Sequence, residues 1–245
     1  MNIRFCAAVF IMTLLTITGC APQMDADPLT TLDLLETKET TTKWQEEFAI
    51  LDCNLVTTGQ NPFFILEPGF VLTLEGGNTK LMITVLEETM VVDGVETRVV
   101  EEREWKNDEL VEVSKNMFAM CEDTQDVFYF GEFVDMYSSG ELASHSGQWF
   151  AGKEGNKAGM IMPGDPQVGM RYYQEIAPGV AMDRAEILHL DTVLDTPAGT
   201  FTDCLKTAEG SALNLLEREI KIYAPGIGLI QDANLLLTDY GFKDN

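Results

Sequence analysis

A two-residue turn between two long alternating runs is the feature that most constrains the fold of this chain. Asp93-Gly94 separates the run 80–92 from the run 95–105. A turn of this composition joins antiparallel strands because both of its residues accept a positive φ. We therefore predict a long β-hairpin here, which commits this part of the chain to an antiparallel sheet.

Strand signals continue on both sides of this hairpin. Apolar or aromatic runs that fit strands lie at 70–74, 110–117, 127–130, 172–175, 186–193, 200–207, 217–223 and 228–237. Pro225-Gly226 predicts a tight turn before the last run, since proline presets φ and glycine accepts the left-handed conformation. The sequence therefore predicts a mainly β fold with few short helices, either a single antiparallel curved sheet or a partly closed β-barrel.

The beginning of the chain has the features of an export signal. Arg4 is the only charged residue before position 20, and residues 5–17 are largely apolar. The segment ends in Ile17-Thr18-Gly19-Cys20, which resembles the lipobox of bacterial lipoproteins. We predict a signal peptide at 1–19, a flexible acidic tether at 20–45 and a β domain at 46–245, with Cys20 as the site of lipid attachment.

Acylation of Cys20 implies a membrane-anchored protein of the cell envelope. Two or more acyl chains, palmitate among them, hold a protein stably at a bilayer, whereas one chain does so only marginally. Ala21 stands where an aspartate retains many lipoproteins at the inner membrane. We therefore expect the outer membrane of a Gram-negative bacterium.

The chain is strongly acidic, with 40 acidic and 16 basic residues. Nucleic acid is excluded as an expected partner, because its binding depends on clustered lysine and arginine. A small apolar ligand or another envelope protein remains as a partner, and we expect a monomer. The acidity fits either cation binding or a solvated surface.

Three cysteines remain once Cys6 leaves with the signal and Cys20 carries lipid. Cys53, Cys121 and Cys204 allow one disulfide with one free thiol, or three buried thiols. The spacing leaves both arrangements open.

Several motifs resemble a family of uncharacterised secreted bacterial proteins. The resemblance runs from Asn61 to about Asp232 and is carried by NPFF at 61–64, TRVVEERE at 97–104, YFGE at 129–132, GQW at 147–149, PAGTF at 197–201 and YAPGIGL at 223–229. The family implies no established activity, ligand or catalytic residue. Its members carry a longer loop rich in Asp, Gly and Asn after Asp123, which is shortened here to 124–127.

A cluster of aromatic residues gives the first site hypothesis. If the sheet leaves a concave face open, these residues line an apolar ligand cleft, and if it closes, they fill the core. The cluster comprises Phe128, Tyr129, Phe130, Trp149, Tyr172 and Tyr173.

Metal binding is the alternative function. Met117, Met120 and Cys121 lie within five residues, and thioether with thiolate suits monovalent copper, although methionine also fills irregular gaps in cores. Oxygen ligands for calcium are available at Asp123, Asp126, Glu132 and Asp135, without the spacing of a calcium loop.

A second alternative is an envelope hydrolase that uses His145, which lies between Ser144 and Ser146. No Gly-x-Ser-x-Gly motif accompanies it. We therefore expect a non-enzymatic binding or structural protein that needs no cofactor.

Overall fold

The structure is a computed structural model that describes residues 43–243, so the predicted signal peptide, Cys20 and nearly all of the predicted tether lie outside the described residues. The first nine strands are β1 (Leu55–Val56), β2 (Gln60–Asn61), β3 (Phe64–Ile65), β4 (Phe70–Gly76), β5 (Thr79–Val92), β6 (Val95–Lys106), β7 (Glu109–Cys121), β8 (Val127–Ser138) and β9 (Glu141–Ser144). The remaining strands are β10 (Trp149–Phe150), β11 (Lys157–Met162), β12 (Arg171–Tyr173), β13 (Glu175–Ile176), β14 (Asp183–Thr196), β15 (Gly199–Ser211), β16 (Asn214–Ala224), β17 (Gly228–Asp232) and β18 (Leu235–Phe242). One short 3₁₀ helix, Ile50–Asp52, precedes them.

Most strands belong to one antiparallel sheet in which neighbours in the chain are usually neighbours in space. The order is β12-β14-β15-β16-β17-β18-β4-β5-β6-β7-β8-β11-β13. The prediction of a mainly β fold with an antiparallel, partly closed sheet is confirmed. Among residues 43–243, no helix has the length and apolar character needed to cross a membrane.

The sheet is nearly closed into a barrel, and a single residue joins its two edge strands. Strand β12 forms one edge, paired with β14, and strand β13 forms the other, paired with β11. Only Gln174 separates β12 from β13, so the two edges are held side by side. The backbone N–H of Gln174 donates to the carbonyl oxygen of Asp183 at 2.7 Å, which extends the pairing of β12 with β14 up to the seam.

The predicted central hairpin is present. Strands β5 and β6 pair from Thr79↔Lys106 to Val92↔Val95, and Asp93 and Gly94 have φ values of 50° and 81°. The turn therefore has the positive φ at both positions that was expected of Asp-Gly. The other predicted turn lies between β16 and β17, where Gly226 has a φ of 70°.

The core lies inside the barrel and is extended by the segment before β4. Phe63, Leu66, Phe128, Met162 and Leu237 are among its buried members. Cys53 and Cys121 form a disulfide that ties the first described residues to the end of β7, while Cys204 is free and buried. Of the two open arrangements for these cysteines, the structure has one bridge and one free thiol.

Candidate ligand-binding site

An apolar cavity of about 100 Å³ lies inside the barrel. Its walls come from the consecutive strands β4, β5, β6 and β7 and from β11, β16 and β17, and residues before β4 and after β16 also line it. The lining residues are Phe64, Ile65, Phe70, Leu72, Ile83, Val85, Val100, Glu102, Phe118, Ile161, Lys221, Tyr223, Ile227, Gly228 and Leu229.

Strand alternation explains why these side chains share one face. Successive residues of a strand point to opposite faces, so Val100 and Glu102 both face inward on β6. The cross-strand pairs Val85↔Val100 and Ile83↔Glu102 place β5 residues beside them on the same face. The apolar side chains of β5 and β6 therefore line the cavity up to the carboxyl group of Glu102.

Glu102 is the acidic group of this cavity, and Lys221 is its basic group. Burial raises the pKa of Glu102 to about 7, although the charge of Lys221 opposes this shift. Part of the Glu102 population is therefore protonated near neutral pH. The carboxyl group can accept a hydrogen bond in either state, and it can take up or release a proton when a ligand binds.

Lys221 is held in a partly buried triad with Glu209 and Asp232. Its Nζ atom lies 3.6 Å from Oε2 of Glu209 and 3.7 Å from Oδ2 of Asp232. Burial alone would lower the pKa of Lys221, but the two carboxylates raise it above its ordinary value. Lys221 therefore stays charged, and its charge is already balanced by this pair of acids.

Glu209 is the most fully hydrogen-bonded member of the triad. It accepts from the Thr207 hydroxyl at 2.7 Å, the Tyr223 hydroxyl at 2.9 Å and the Gln174 amide at 3.2 Å. Gln174 is also the residue that joins the two edge strands. The triad thus contributes to closing the barrel, and it holds Lys221 in place at the wall of the cavity.

A second, more open recess of about 300 Å³ lies at the end of the barrel where β7 begins, and it carries an excess of acid. Its carboxyl groups are those of Glu112, Glu132, Glu175 and Asp183. Burial, together with the charges of neighbouring carboxylates, raises the pKa of Glu132 to about 9 and that of Glu175 to about 8. We call this region the acidic recess.

Glu102 connects the two spaces electrostatically. It lines the apolar cavity, and its charge raises the pKa of both Glu132 and Glu175 in the acidic recess. The indole N–H of buried Trp149 finds no hydrogen-bond partner of good geometry within residues 43–243, yet it lies close enough to Glu175 to lower the pKa of that carboxyl. The interior therefore changes from apolar to acidic along the barrel, with Glu102 at the boundary.

The aromatic cluster predicted from the sequence lies largely in the core. Phe128, Tyr129, Phe130, Trp149 and Tyr172 are each at most 5% exposed, and Tyr173 is half-buried beside Trp44. None of these six is among the residues that line the apolar cavity. The aromatic side chains at that cavity are instead Phe64, Phe70, Phe118 and Tyr223.

The predicted copper ligands are brought into the core. Met117, Met120 and Cys121 are all buried, and Cys121 is bonded to Cys53, so it offers no thiolate. Within residues 43–243, no group of three or more His, Cys, Asp or Glu side chains is arranged to hold a metal ion. Of the acids considered for calcium, Glu132 lies in the acidic recess, whereas Asp126 binds the backbone N–H of Gly164.

His145 lies at the rim of the barrel, at the end that holds the acidic recess. Its Nδ1 atom is 2.9 Å from Oδ1 of Asp135 and 2.9 Å from the carbonyl oxygen of Val134. The hydrogen bonds formed by residues 43–243 include none between this imidazole and the hydroxyl of Ser144 or Ser146. His145 is therefore paired with Asp135 and not with a serine hydroxyl among the described residues.

Sequence reasoning did not identify Glu102 or Lys221 as site residues. Alternation in 97–104 places Glu102 on the same face as Arg98, Val100 and Glu104, and a face with three charged residues does not indicate an interior position. Lys221 had no local signal either. Its position becomes meaningful only once β16 is placed across the barrel from β6.

No protein-family model matches the chain, and no curated protein or solved structure matches it either.

Proposed function

We propose that this protein is a non-enzymatic, lipid-anchored envelope protein whose barrel binds a small amphipathic amine. The apolar cavity with Glu102 at its boundary carries the proposal. A ligand of this kind places its alkyl part against Leu72, Ile83 and Val100 and its ammonium group at Glu102. Sites for small molecules are usually concave and apolar, with a few placed polar groups.

The size of the cavity limits the apolar part of the ligand. Its volume of about 100 Å³ is smaller than the engineered cavity of about 150 Å³ that takes up benzene. A short alkyl chain or a small branched group is therefore the expected apolar part. Longer chains must extend toward the acidic recess.

The charge balance favours a cation over an anion. Lys221 is neutralised by Glu209 and Asp232, so it is not free to bind a ligand carboxylate. Glu102 and Glu132 have raised pKa values because their charges lack compensation in a buried setting. A ligand ammonium supplies that compensation, and it would lower both pKa values.

Isothermal titration calorimetry with three ligands of equal chain length tests the ligand class. We expect butylamine to bind about fivefold more tightly than butanol, because a charge-assisted hydrogen bond exceeds a neutral one by about 1 kcal/mol. Butanoate should bind most weakly. Equal affinities for the three, or a preference for butanoate, would contradict the proposal.

Two variants localise the binding, each with a matched control. Val100→Phe fills the cavity and should abolish butylamine binding, whereas Val91→Phe, at an exposed position, should not. Glu102→Gln should weaken butylamine and leave butanol unchanged, and Glu109→Gln, also exposed, is its control. Butylamine binding that survives in Val100→Phe would place the ligand elsewhere.

The sequence of the first twenty residues supports the anchoring part of the proposal. It combines a basic start, an apolar stretch and a lipobox-like end at Cys20. Anchoring places the binding domain on the outer membrane surface, where it samples small molecules in the envelope.

A further inference from the structure

Three leucines are exposed together at the turn between β15 and β16. Leu213, Leu215 and Leu216 have exposures of 53%, 75% and 95%. We call this group the leucine tip. Isolated exposed leucines are common on proteins, but a contiguous apolar projection marks a surface that contacts a partner or a membrane.

The backbone holds the leucine tip in this exposed position. Ser211 pairs with Asn214 and Glu209 pairs with Glu219, so Gly210 opposes the bulged residues 215–218. A Cβ atom at Gly210 would lie 2.2 Å from the carbonyl oxygen of Glu217, so a larger residue would disrupt the bulge. Because a bulge turns side chains away from the regular sheet, both Leu215 and Leu216 point to solvent.

A neighbouring turn extends the apolar surface. The N–H of Ala212 donates to the carbonyl oxygen of Met182 at 2.9 Å, which fixes the 177–182 segment beside the tip. Val180 of that segment is 43% exposed. The charged residues that follow the tip are Glu217, Arg218 and Glu219, with a net charge of −1.

The described chain begins in the same half of the barrel. The Trp44 ring lies under the guanidinium of Arg184 at 4.3 Å, and Arg184 pairs with Gly210. Gln45 pairs in parallel with Tyr172, so Lys43 lies beside Met170, whose carbonyl oxygen accepts from the N–H of Ile187. Ile187 pairs with Thr207, so Lys43 lies about 13 Å along the sheet from Ser211 at the base of the tip. The 23 residues from Cys20 to Lys43 span at most about 80 Å, which lets the tip reach the bilayer that holds the anchor.

From these positions we infer that the leucine tip inserts into the surface of the bilayer to which the chain is anchored. The inference rests on the proposed lipid anchor at Cys20. It orients the barrel with the acidic recess toward the membrane, because Ser211, at the base of the tip, also lines that recess. An amine released from the bilayer surface would then meet the acidic recess first.

An environment-sensitive fluorophore tests this contact in the full lipidated chain on phosphatidylcholine vesicles. The label is placed by Leu216→Cys, with Val91→Cys as the control, since Val91 is 65% exposed near the opposite end of the barrel. The buried Cys204 should not react in the folded protein. We expect a blue shift with vesicles for the label at 216 and none for the label at 91.

A second measurement separates the tip from the anchor. In the full chain carrying Cys20→Ser, the vesicle partition coefficient should fall by about tenfold for each of Leu213→Asp and Leu215→Asp, because each leucine that inserts into the bilayer removes apolar surface from water. Co-sedimentation of the lipidated chain without a blue shift at 216 would overturn the tip inference and leave the anchor intact. If the lipidated chain does not co-sediment, the anchor fails, and the inference fails with it.

Self-association is the remaining alternative for this surface. Sedimentation velocity of the Cys20→Ser chain should show a monomer whose mass is unchanged by Leu216→Asp. A dimer that Leu216→Asp converts to monomer, without any vesicle-dependent shift, would assign the tip to a second copy of the chain and overturn the membrane contact.

Discussion

Glu132→Gln should stabilise the protein at neutral pH and leave its stability nearly unchanged in acid. Burial and neighbouring carboxylates raise the pKa of Glu132 from 4.5 to about 9. Between these two values the folded state binds a proton that the unfolded state releases. Stability that this carboxyl contributes is therefore fully present below about pH 4.5, and it is lost as the pH rises toward about 9.

The size of the effect follows from the distance between these pKa values. A pH of about 7 lies about 2.5 pH units above the pKa of this carboxyl in the unfolded state. Because the folded protein still retains the proton at that pH, its free energy of unfolding is lower by about 3 kcal/mol than in acid. The acidic recess admits water, so we reduce the expected effect to about 2 kcal/mol. Glutamine has the shape of protonated glutamic acid but releases no proton, and its substitution should recover this amount.

Urea unfolding followed by tryptophan fluorescence measures the change. For a typical urea dependence of about 2 kcal/mol per M, Glu132→Gln should raise the midpoint by about 1 M at about pH 7. At about pH 5 the gain should be much smaller, because the unfolded carboxyl is then partly protonated. Glu109→Gln, at an exposed position, should change neither midpoint.

Two results would refute this reasoning. If Glu132→Gln is as stable as the parent at every pH, the carboxyl is solvated and its pKa is not raised. If the variant is less stable at neutral pH, the ionised carboxylate is bound by a favourable partner in the folded state. Either outcome would also weaken the argument that the interior lacks compensating positive charge.

Three further changes test other parts of the structure. Lys221→Met leaves the two acids of the partly buried triad without their cation and should cost about 2–3 kcal/mol in urea unfolding. Lys243→Met, which removes an exposed ion pair, should cost no more than about 0.5 kcal/mol, and equal losses would show that the triad is fully solvated. Replacing both Cys53 and Cys121 with alanine removes the disulfide, whose cysteines are 68 residues apart, and should lower the free energy of unfolding by about 4 kcal/mol. A thermal melt of the parent protein that is insensitive to reductant would contradict this. Cys20→Ser should move the protein from the membrane fraction to the soluble fraction of the cell envelope, and unchanged membrane association would refute the lipid anchor.

The sequence determined the local parts of the fold because those parts depend on neighbouring residues. Asp93-Gly94 and the alternation around it were sufficient for the β5–β6 hairpin, and Pro225-Gly226 for the turn after β16. Closure of the sheet had no such signal. It depends on Gln174 standing between two very short strands that pair with β11 and β14, and pairing between distant segments leaves little trace in either one.

The candidate site shows the same division. The sequence by itself determined that strands would present alternating faces, and it placed Glu102 on the same face of β6 as Val100. Only the tertiary structure decided that Glu102 meets Lys221, that the predicted aromatic cluster fills the core, and that other aromatic residues line the cavity. The physical reason is that alternation fixes which side of a strand a residue occupies, whereas curvature and closure of the sheet decide which distant residues it meets there.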